Sequence, residues 1–257
     1  MNTSQRTILV TGAGSGLGRG ISESLAAQGH HLIVSDLHTA SAEETVRRIA
    51  AVGGTATPLT VDVTSETSIQ AGLSSIADRP VNVLINNAGL QHVAKFDEFP
   101  SEKWDLLDQV MLKGAFLMSQ ALLPGMRASG FGRLIHIGSI HSLIASPYKS
   151  AYVAMKHALL GLSKVLALET AGDDVTSNVI CPAYVRTPLV DAQIADQART
   201  RGLSEEEVIE KVMLAPMPKK TFISVEEVAG AAAYLISPVA RNITGQVITI
   251  DGGWTVQ

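Results

Sequence analysis

Ser139, Tyr152 and Lys156, in the segment SIHSLIASPYKSAYVAMK, are of the right types to move a proton on and off an oxygen. The run AYVAMKHALLGLSKVLALE predicts a helix. On a helix, positions four apart share a face, so the phenol and the ammonium point into one pocket. A free phenol titrates near pH ~10, and ionising it near neutrality requires a fall of about 2 to 3, or roughly 3 to 4 kcal/mol. An ammonium a few ångströms away in a partly dry site is the expected source of that energy. Tyr152 is then a general base toward an alcohol or a general acid toward a ketone, with Ser139 holding the same oxygen by a hydrogen bond. Tyr and Lys at this spacing are common on amphipathic helices, so the reading depends on what surrounds them.

The N-terminal region supplies a partner for that chemistry. RTILVTGAGSGLGRGISESLAAQG predicts a buried strand from Thr7 to Val10, a glycine turn, and a helix ending near Gly29; HHLIVSD predicts a second strand ending at Asp36. Gly12, Gly16 and Gly18 let the backbone approach a pyrophosphate, whose charge is met by the N-terminus of the helix that starts there. Asp36 accepts from an adenosine ribose 2′-hydroxyl and repels a 2′-phosphate, and Leu37 and His38 offer no arginine to bind one, so NAD is expected over NADP. The competing role for Asp36 is to cap the following helix.

Further elements must carry these residues to one edge. SAEETVRRIAAVGG predicts a surface helix and ATPLTVDVT a third strand ending near Asp62. After a helix through Ile76, VNVLINNAG predicts a fourth strand with Asn86, Asn87 and Gly89 at its carboxyl end, where ligands bind in open parallel sheets. A long helix is expected from Ser101, as N-cap, to about Met126. RLIHIGS is the fifth strand and delivers Ser139; VTSNVICPAYVRTP is the sixth with its loop; GQVITIDGGW is the seventh. The whole chain, 1–257, is expected to be one α/β domain. Its fold is a Rossmann-like, doubly wound parallel sheet of about seven strands, with a helical lid over the substrate at about 187–220.

Composition narrows the classes. The 257 residues are 46% hydrophobic but only 4% aromatic, which implies a substantial aliphatic core. A net charge of -4 gives no footprint for nucleic acid or an anionic membrane. No ~20-residue uncharged apolar run is present, and MNTSQRTILVTG enters a strand without a signal-peptide pattern, so a cytoplasmic location is expected. Cys181 is the single cysteine, which excludes an internal disulfide or a cysteine zinc cluster. No metal is expected.

TGAGSGLG, NNAG, Ser139, Tyr152, Lys156 and CPAYVRTP, in this order, resemble the short-chain dehydrogenase/reductase family over essentially the whole chain. The resemblance implies NAD(P)-linked oxidoreduction of an alcohol or carbonyl, usually by a homotetramer. It makes Tyr152 the acid/base, Lys156 its partner and a ribose ligand, Ser139 the substrate's hydrogen-bond donor, and Thr187 a contact of the nicotinamide carboxamide. Cofactor contacts are implied also for Ser15 and Leu17 in the glycine turn, Asp62 and Val63 after the third strand, Asn87 and Gly89 after the fourth, and Pro182 and Val185 after the sixth. Within the family, LQHVAKFDEFPSEKWD, SIHSLIASPYKSAYVAMKH, CPAYVRTPLVDAQI and DGGW are similar to the bacterial D-3-hydroxybutyrate dehydrogenases. That similarity implies a substrate site of Gln91, His141, Lys149, Gln193 and Trp254 around Ser139 and Tyr152. The amides, imidazole and ammonium can donate to a carboxylate, and the indole can close over a short alkyl chain. Three positions depart from the pattern. Met111 replaces the family's catalytic asparagine, whose implied role runs through its main-chain carbonyl; Ala183 replaces a glycine; and Tyr184 replaces a tryptophan common in the hydroxybutyrate group.

Overall fold

The structure, a computed structural model, describes residues 5–256; residues 1–4 and 257, including the start of the segment read for a signal peptide, lie outside the described residues. Strands β1 (Thr7–Thr11), β2 (His31–Asp36), β3 (Thr55–Thr60), β4 (Val83–Asn86), β5 (Gly132–Ile137), β6 (Val175–Pro182) and β7 (Val247–Ile250) form a seven-stranded sheet in the order β3-β2-β1-β4-β5-β6-β7. Every pairing is parallel. The central strands are apolar on both faces because helices cover both. Alternation decides which residue goes where: Ile8 and Val10 pack toward Ile21 and Leu25 of α1 (Gly16–Ala27), while Leu9 between them joins the opposite layer with Leu84 and Leu134. The order reverses between β1 and β4, and the crevice at that reversal, along the strands' carboxyl ends, is where a doubly wound sheet binds ligands.

The other helices are α2 (Thr39–Ala51), α3 (Glu66–Ser75), α4 (Ser101–Asp108), α5 (Gly114–Ala128), α6 (Ser150–Glu169), α7 (Pro188–Arg201), the short α8 (Glu205–Glu207) and α9 (Val225–Ile236). Three expectations need correction. β3 stops at Thr60, because the Asp62 carboxylate accepts from the Thr64 amide and turns the chain. Ser101 is the first helical residue rather than the cap; Pro100, with φ -68° and ψ 132°, makes the entry, and the Lys103 and Trp104 amides bond to its carbonyl. The long helix is not uniform either: α4 and α5 are joined by a π-helical turn, Gln109–Lys113, centred on buried Met111. Residues 187–220 hold α7, α8 and a second π turn, Val208–Met213, packed on Tyr184 and Trp254 through Val190, Ile194 and Met213.

Candidate active site

A cleft of about 410 Å³ lies along the switch point. One end, at the glycine turn, is walled by Gly12, Ser15, Gly16, Leu17, Asp36, Asn87 and Gly89, with Pro182, Val185 and Thr187 among the residues completing the wall. Gly12 (φ +62°) and Gly16 (φ +51°) hold left-handed conformations that L side chains rarely adopt. Gly18 is not on the wall. A Cβ there would fall 2.4 Å from Asn87 Nδ2 and 2.5 Å from the Gly12 carbonyl. Glycine at 18 lets Asn87 pin the turn, donating to the carbonyls of Thr11 (2.9 Å) and Gly12 (3.2 Å). Asp36 bridges: Oδ2 accepts from the Gly14 amide at 2.9 Å and Oδ1 from the His38 amide at 3.0 Å. His38 is the N-cap residue of α2, so the capping role weighed from sequence is partly realised, while a carboxylate with two bonds still has lone pairs for a ribose hydroxyl. Asp62 and Val63 also fall outside the wall. Asp62 is taken up by Thr64, and Val63 borders a small void of about 10 Å³ with Asn86, Met111 and Lys156.

At the far end of the cleft are Ser139, Tyr152 and Lys156, brought together as their spacing predicts. Ser139, two residues past the end of β5, caps a 3₁₀ turn, Ile140–Ser142, its Oγ accepting from the His141 amide at 3.2 Å. Lys156 lies 5.6 Å from the Tyr152 ring centre and donates to the Ile137 carbonyl at 2.6 Å. The electrostatics differ from the expectation. Burial pushes the Tyr152 phenol up, opposed by a hydrogen bond from Ser139, and burial also lowers Lys156 to about 8. Desolvation works against charge on both partners, and at the phenol it outweighs the Ser139 hydrogen bond.

Beyond the tyrosine is a second buried cation. Lys149 is 2% exposed; its Nζ donates to Gln193 Oε1 at 3.2 Å and to the Tyr184 hydroxyl at 3.4 Å. Burial, with Arg201 adding repulsion, lowers it to about 8. No carboxylate pairs with it among the described residues. Its neighbours are aromatic. Tyr184 stacks on Trp254 at 6.0 Å, and His141 meets Tyr152, Tyr184 and Trp254 edge-on at 6.1, 6.3 and 6.1 Å. Trp254 is held by the Asp251 carboxylate, which accepts from the Gly253 amide at 2.9 Å and the Thr255 amide at 2.8 Å. Trp254 and Gln91 are not among the residues lining the cleft; Trp254 packs against Tyr184, which is. Gln91 Oε1 accepts from the His92 amide, and its buried Nε2 has no hydrogen-bond partner among the described residues.

The family profile described as enoyl-(acyl carrier protein) reductase matches residues 12–255. The chain belongs to the short-chain dehydrogenase/reductase family. It is 44% identical over 98% of its length to a D-beta-hydroxybutyrate dehydrogenase from Rhizobium meliloti, covering 99% of that protein. It is 39% identical over 98% of its length to another from Cupriavidus necator, covering 98% of it. A solved structure from Beutenbergia cavernae, described as a candidate NAD(P)-dependent gluconate 5-dehydrogenase with bound NADP, superposes with a TM-score of 0.88 at 33% identity, covering 98% of this chain and 97% of that one. As a short-chain dehydrogenase/reductase the chain is an oxidoreductase using a nicotinamide dinucleotide. The glycine turn fits such a group, with positive φ at Gly12 and Gly16 bringing bare backbone to the cleft.

Three features of this short-chain dehydrogenase/reductase escaped the sequence reading. The Ile137 carbonyl holds Lys156, the Tyr184 hydroxyl meets Lys149, and Ser146 Oγ lies 2.7 Å from His141 Nε2. The first is a backbone group and leaves no signal. Tyr184 and Ser146 were visible as residues, but their partners are fixed only by the fold.

Proposed function

We propose that this oxidoreductase uses NAD to interconvert a short 3-hydroxy acid, D-3-hydroxybutyrate foremost, and its 3-oxo acid, acetoacetate. The observation that carries the reading is Lys149. A buried ammonium without a counter-charge is costly, and a substrate carboxylate is the partner that relieves it. Gln193, which accepts from Lys149 and keeps its own amide N–H groups on the same wall, adds a neutral donor suited to the same anion. Two relatives that share over a third of this sequence are named for 3-hydroxybutyrate.

In the oxidising direction Tyr152 accepts the hydroxyl proton and Ser139 donates a hydrogen bond to the same oxygen. NAD, when bound, supplies the hydride acceptor. Lys156 stabilises the phenolate and holds a ribose hydroxyl, Asp36 takes the adenosine ribose, and Thr187 faces the nicotinamide end. Asp36 favours NAD by repelling a 2′-phosphate. Residues 187–220 act as the lid, since α7 supplies Gln193 to the cleft. We take the protein to be cytoplasmic and homotetrameric, the latter supported by exposed Trp104, Leu106, Phe116, Val165 and Leu168 on α4, α5 and α6.

The Beutenbergia cavernae structure favours a second reading, a sugar acid such as gluconate, whose carboxylate Lys149 would also hold. The box of His141, Tyr184 and Trp254 argues for a short alkyl end over a row of hydroxyls. Following reduced nicotinamide with NAD or NADP against both enantiomers of 3-hydroxybutyrate, longer 3-hydroxy acids, gluconate and the methyl ester of 3-hydroxybutyrate tests this. The expected result is highest kcat/KM for D-3-hydroxybutyrate with NAD. Preference for gluconate, or for neutral alcohols, overturns it.

A further inference from the structure

We propose that Arg201, the last residue of α7, is a positioning residue: its guanidinium lies on the Tyr148 ring and latches α7 to the loop before α6, which keeps Gln193 on Lys149. The kinetic part of its test rests on the reading of Lys149 and Gln193 as the substrate's anchor; the latch itself does not.

Two adjacent residues of one loop meet one face of one helix. Gln193, Gln197 and Arg201 are spaced four apart and form a row along α7. At one end of the row Gln193 Oε1 accepts from Lys149 Nζ at 3.2 Å. Two such steps on, a helix has advanced about 12 Å. There the Arg201 guanidinium carbon stands 5.2 Å from the centre of the Tyr148 ring, within the roughly 6 Å over which a cation is drawn to an aromatic face. Between these contacts Gln197, itself buried, accepts from Arg201 Nε at 3.2 Å and holds the guanidinium in place.

The loop is shaped for this contact. Tyr148 holds a left-handed backbone at φ +70°, a conformation that a residue other than glycine adopts rarely and at a cost. Adjacent side chains of an extended chain point to opposite sides; with the left-handed turn, Tyr148 and Lys149 both reach α7. The Tyr148 carbonyl accepts from the Ala94 amide at 3.1 Å, so the loop is tied on its other side to the segment that follows β4.

The helix needs such a tie at this end. α7 stops at Arg201, and Gly202, at φ +67°, turns the chain away. A last helical turn lacks onward hydrogen bonds and opens most easily. No carboxylate pairs with Arg201 among the described residues. Arg201 does not line the cleft, whereas Gln193 and Lys149 do, so it acts on the substrate through them.

Hydrogen–deuterium exchange of the full-length protein without ligand reads the latch directly. Tyr148→Asn removes the ring but suits the left-handed turn, and Arg201→Met keeps the stem without the charge. Each should raise exchange over residues 197–201 roughly threefold or more, while α6 stays protected. Tyr148→Phe should match the unaltered protein, and the double substitution should be no worse than the worse single one. Turnover is then measured at pH about 6.5, where Lys149, lowered to about 8, carries its charge. In both variants KM should rise roughly three- to tenfold for 3-hydroxybutyrate and for its methyl ester alike, with kcat changing less than about twofold. Unchanged exchange in both variants overturns the proposal, as do additive losses in the double substitution. A KM loss confined to the acid, present in Arg201→Met and absent from Tyr148→Asn, would put Arg201 on the carboxylate instead. Should the unaltered protein turn over neither compound, the proposed substrate fails and exchange alone decides the latch.

Discussion

At the nucleotide end of the cleft the wall is largely backbone, with glycines at positive φ and a carboxylate, Asp36, whose two oxygens each hold a main-chain amide. At the substrate end the wall is side chains: two buried lysines lowered to about 8, a neutral histidine and an aromatic box. The first end is satisfied before any ligand arrives. The second holds charge that burial penalises and that no carboxylate among the described residues offsets, so its groups are more stable once an anion, or a proton in transit, is present. Substitutions at the first end should therefore act on cofactor affinity, alike for every substrate. Those at the second should separate substrates from one another and rate from affinity.

Tyr152→Phe should break the contrast furthest. The ring keeps its contact with His141 but no proton can move, so turnover should fall by about 10³-fold or more while NAD affinity changes only a few-fold. Single-turnover kinetics and calorimetric titration with NAD measure the two halves. Appreciable residual turnover would take tyrosine out of the mechanism.

Lys149→Ala comes next and tests whether the substrate end recognises charge. Charge-assisted hydrogen bonds contribute about 1.5 to 3 kcal/mol, which predicts a loss of roughly 10- to 150-fold in kcat/KM for the acid, mostly in KM. The methyl ester should lose far less. The unaltered enzyme has a matching pH signature. Lys149 is lowered to about 8, so above that pH it becomes neutral and KM for the acid should rise, while KM for the ester stays level. Equal losses for acid and ester, or a flat KM profile for the acid, would favour a different alcohol.

Asp36→Ala probes the nucleotide end and should be milder. Losing a ribose acceptor and a repulsive charge should weaken NAD roughly tenfold and narrow its advantage over NADP. If the NAD-to-NADP ratio of Kd stays put while Tm drops, the carboxylate serves only the Gly14 and His38 amides.

The same divide explains what could be read from the chain alone. The succession of strands and the glycine turn were legible because their signals are local: at the start of the chain an apolar run, three glycines and an acid lie within residues 7–36. Ser139, Tyr152 and Lys156 were legible as types and as a convergent group. The partners of Lys149 are 44 and 35 positions away, at Gln193 and Tyr184, and no spacing encodes them. The sign of the phenol's shift was misjudged for the same reason, since burial is a property of the assembled cleft. The π turn at Gln109–Lys113 left no pattern distinct from a regular helix.

That π turn carries the smallest expected effect. Met111, where the resemblance expects the family's asparagine, is 2% exposed, packs with Leu107, Ala151 and Met155, and borders the void of about 10 Å³ beside Lys156. A water needs roughly 10 to 15 Å³ of such space, so the void is at the lower limit for a molecule on the proton path. If the main-chain carbonyl of residue 111 is what the reaction uses, the side chain is free to be apolar, and here it serves the packing of α4 and α6. Met111→Asn should then change kcat by less than about threefold, while burying an amide among apolar neighbours should cost about 1 to 3 kcal/mol and lower Tm. Turnover and thermal unfolding of the same preparation measure both. A gain in kcat of about tenfold, the worth of one well-made hydrogen bond, would show instead that the amide itself is needed and that methionine leaves the substrate end short of a donor.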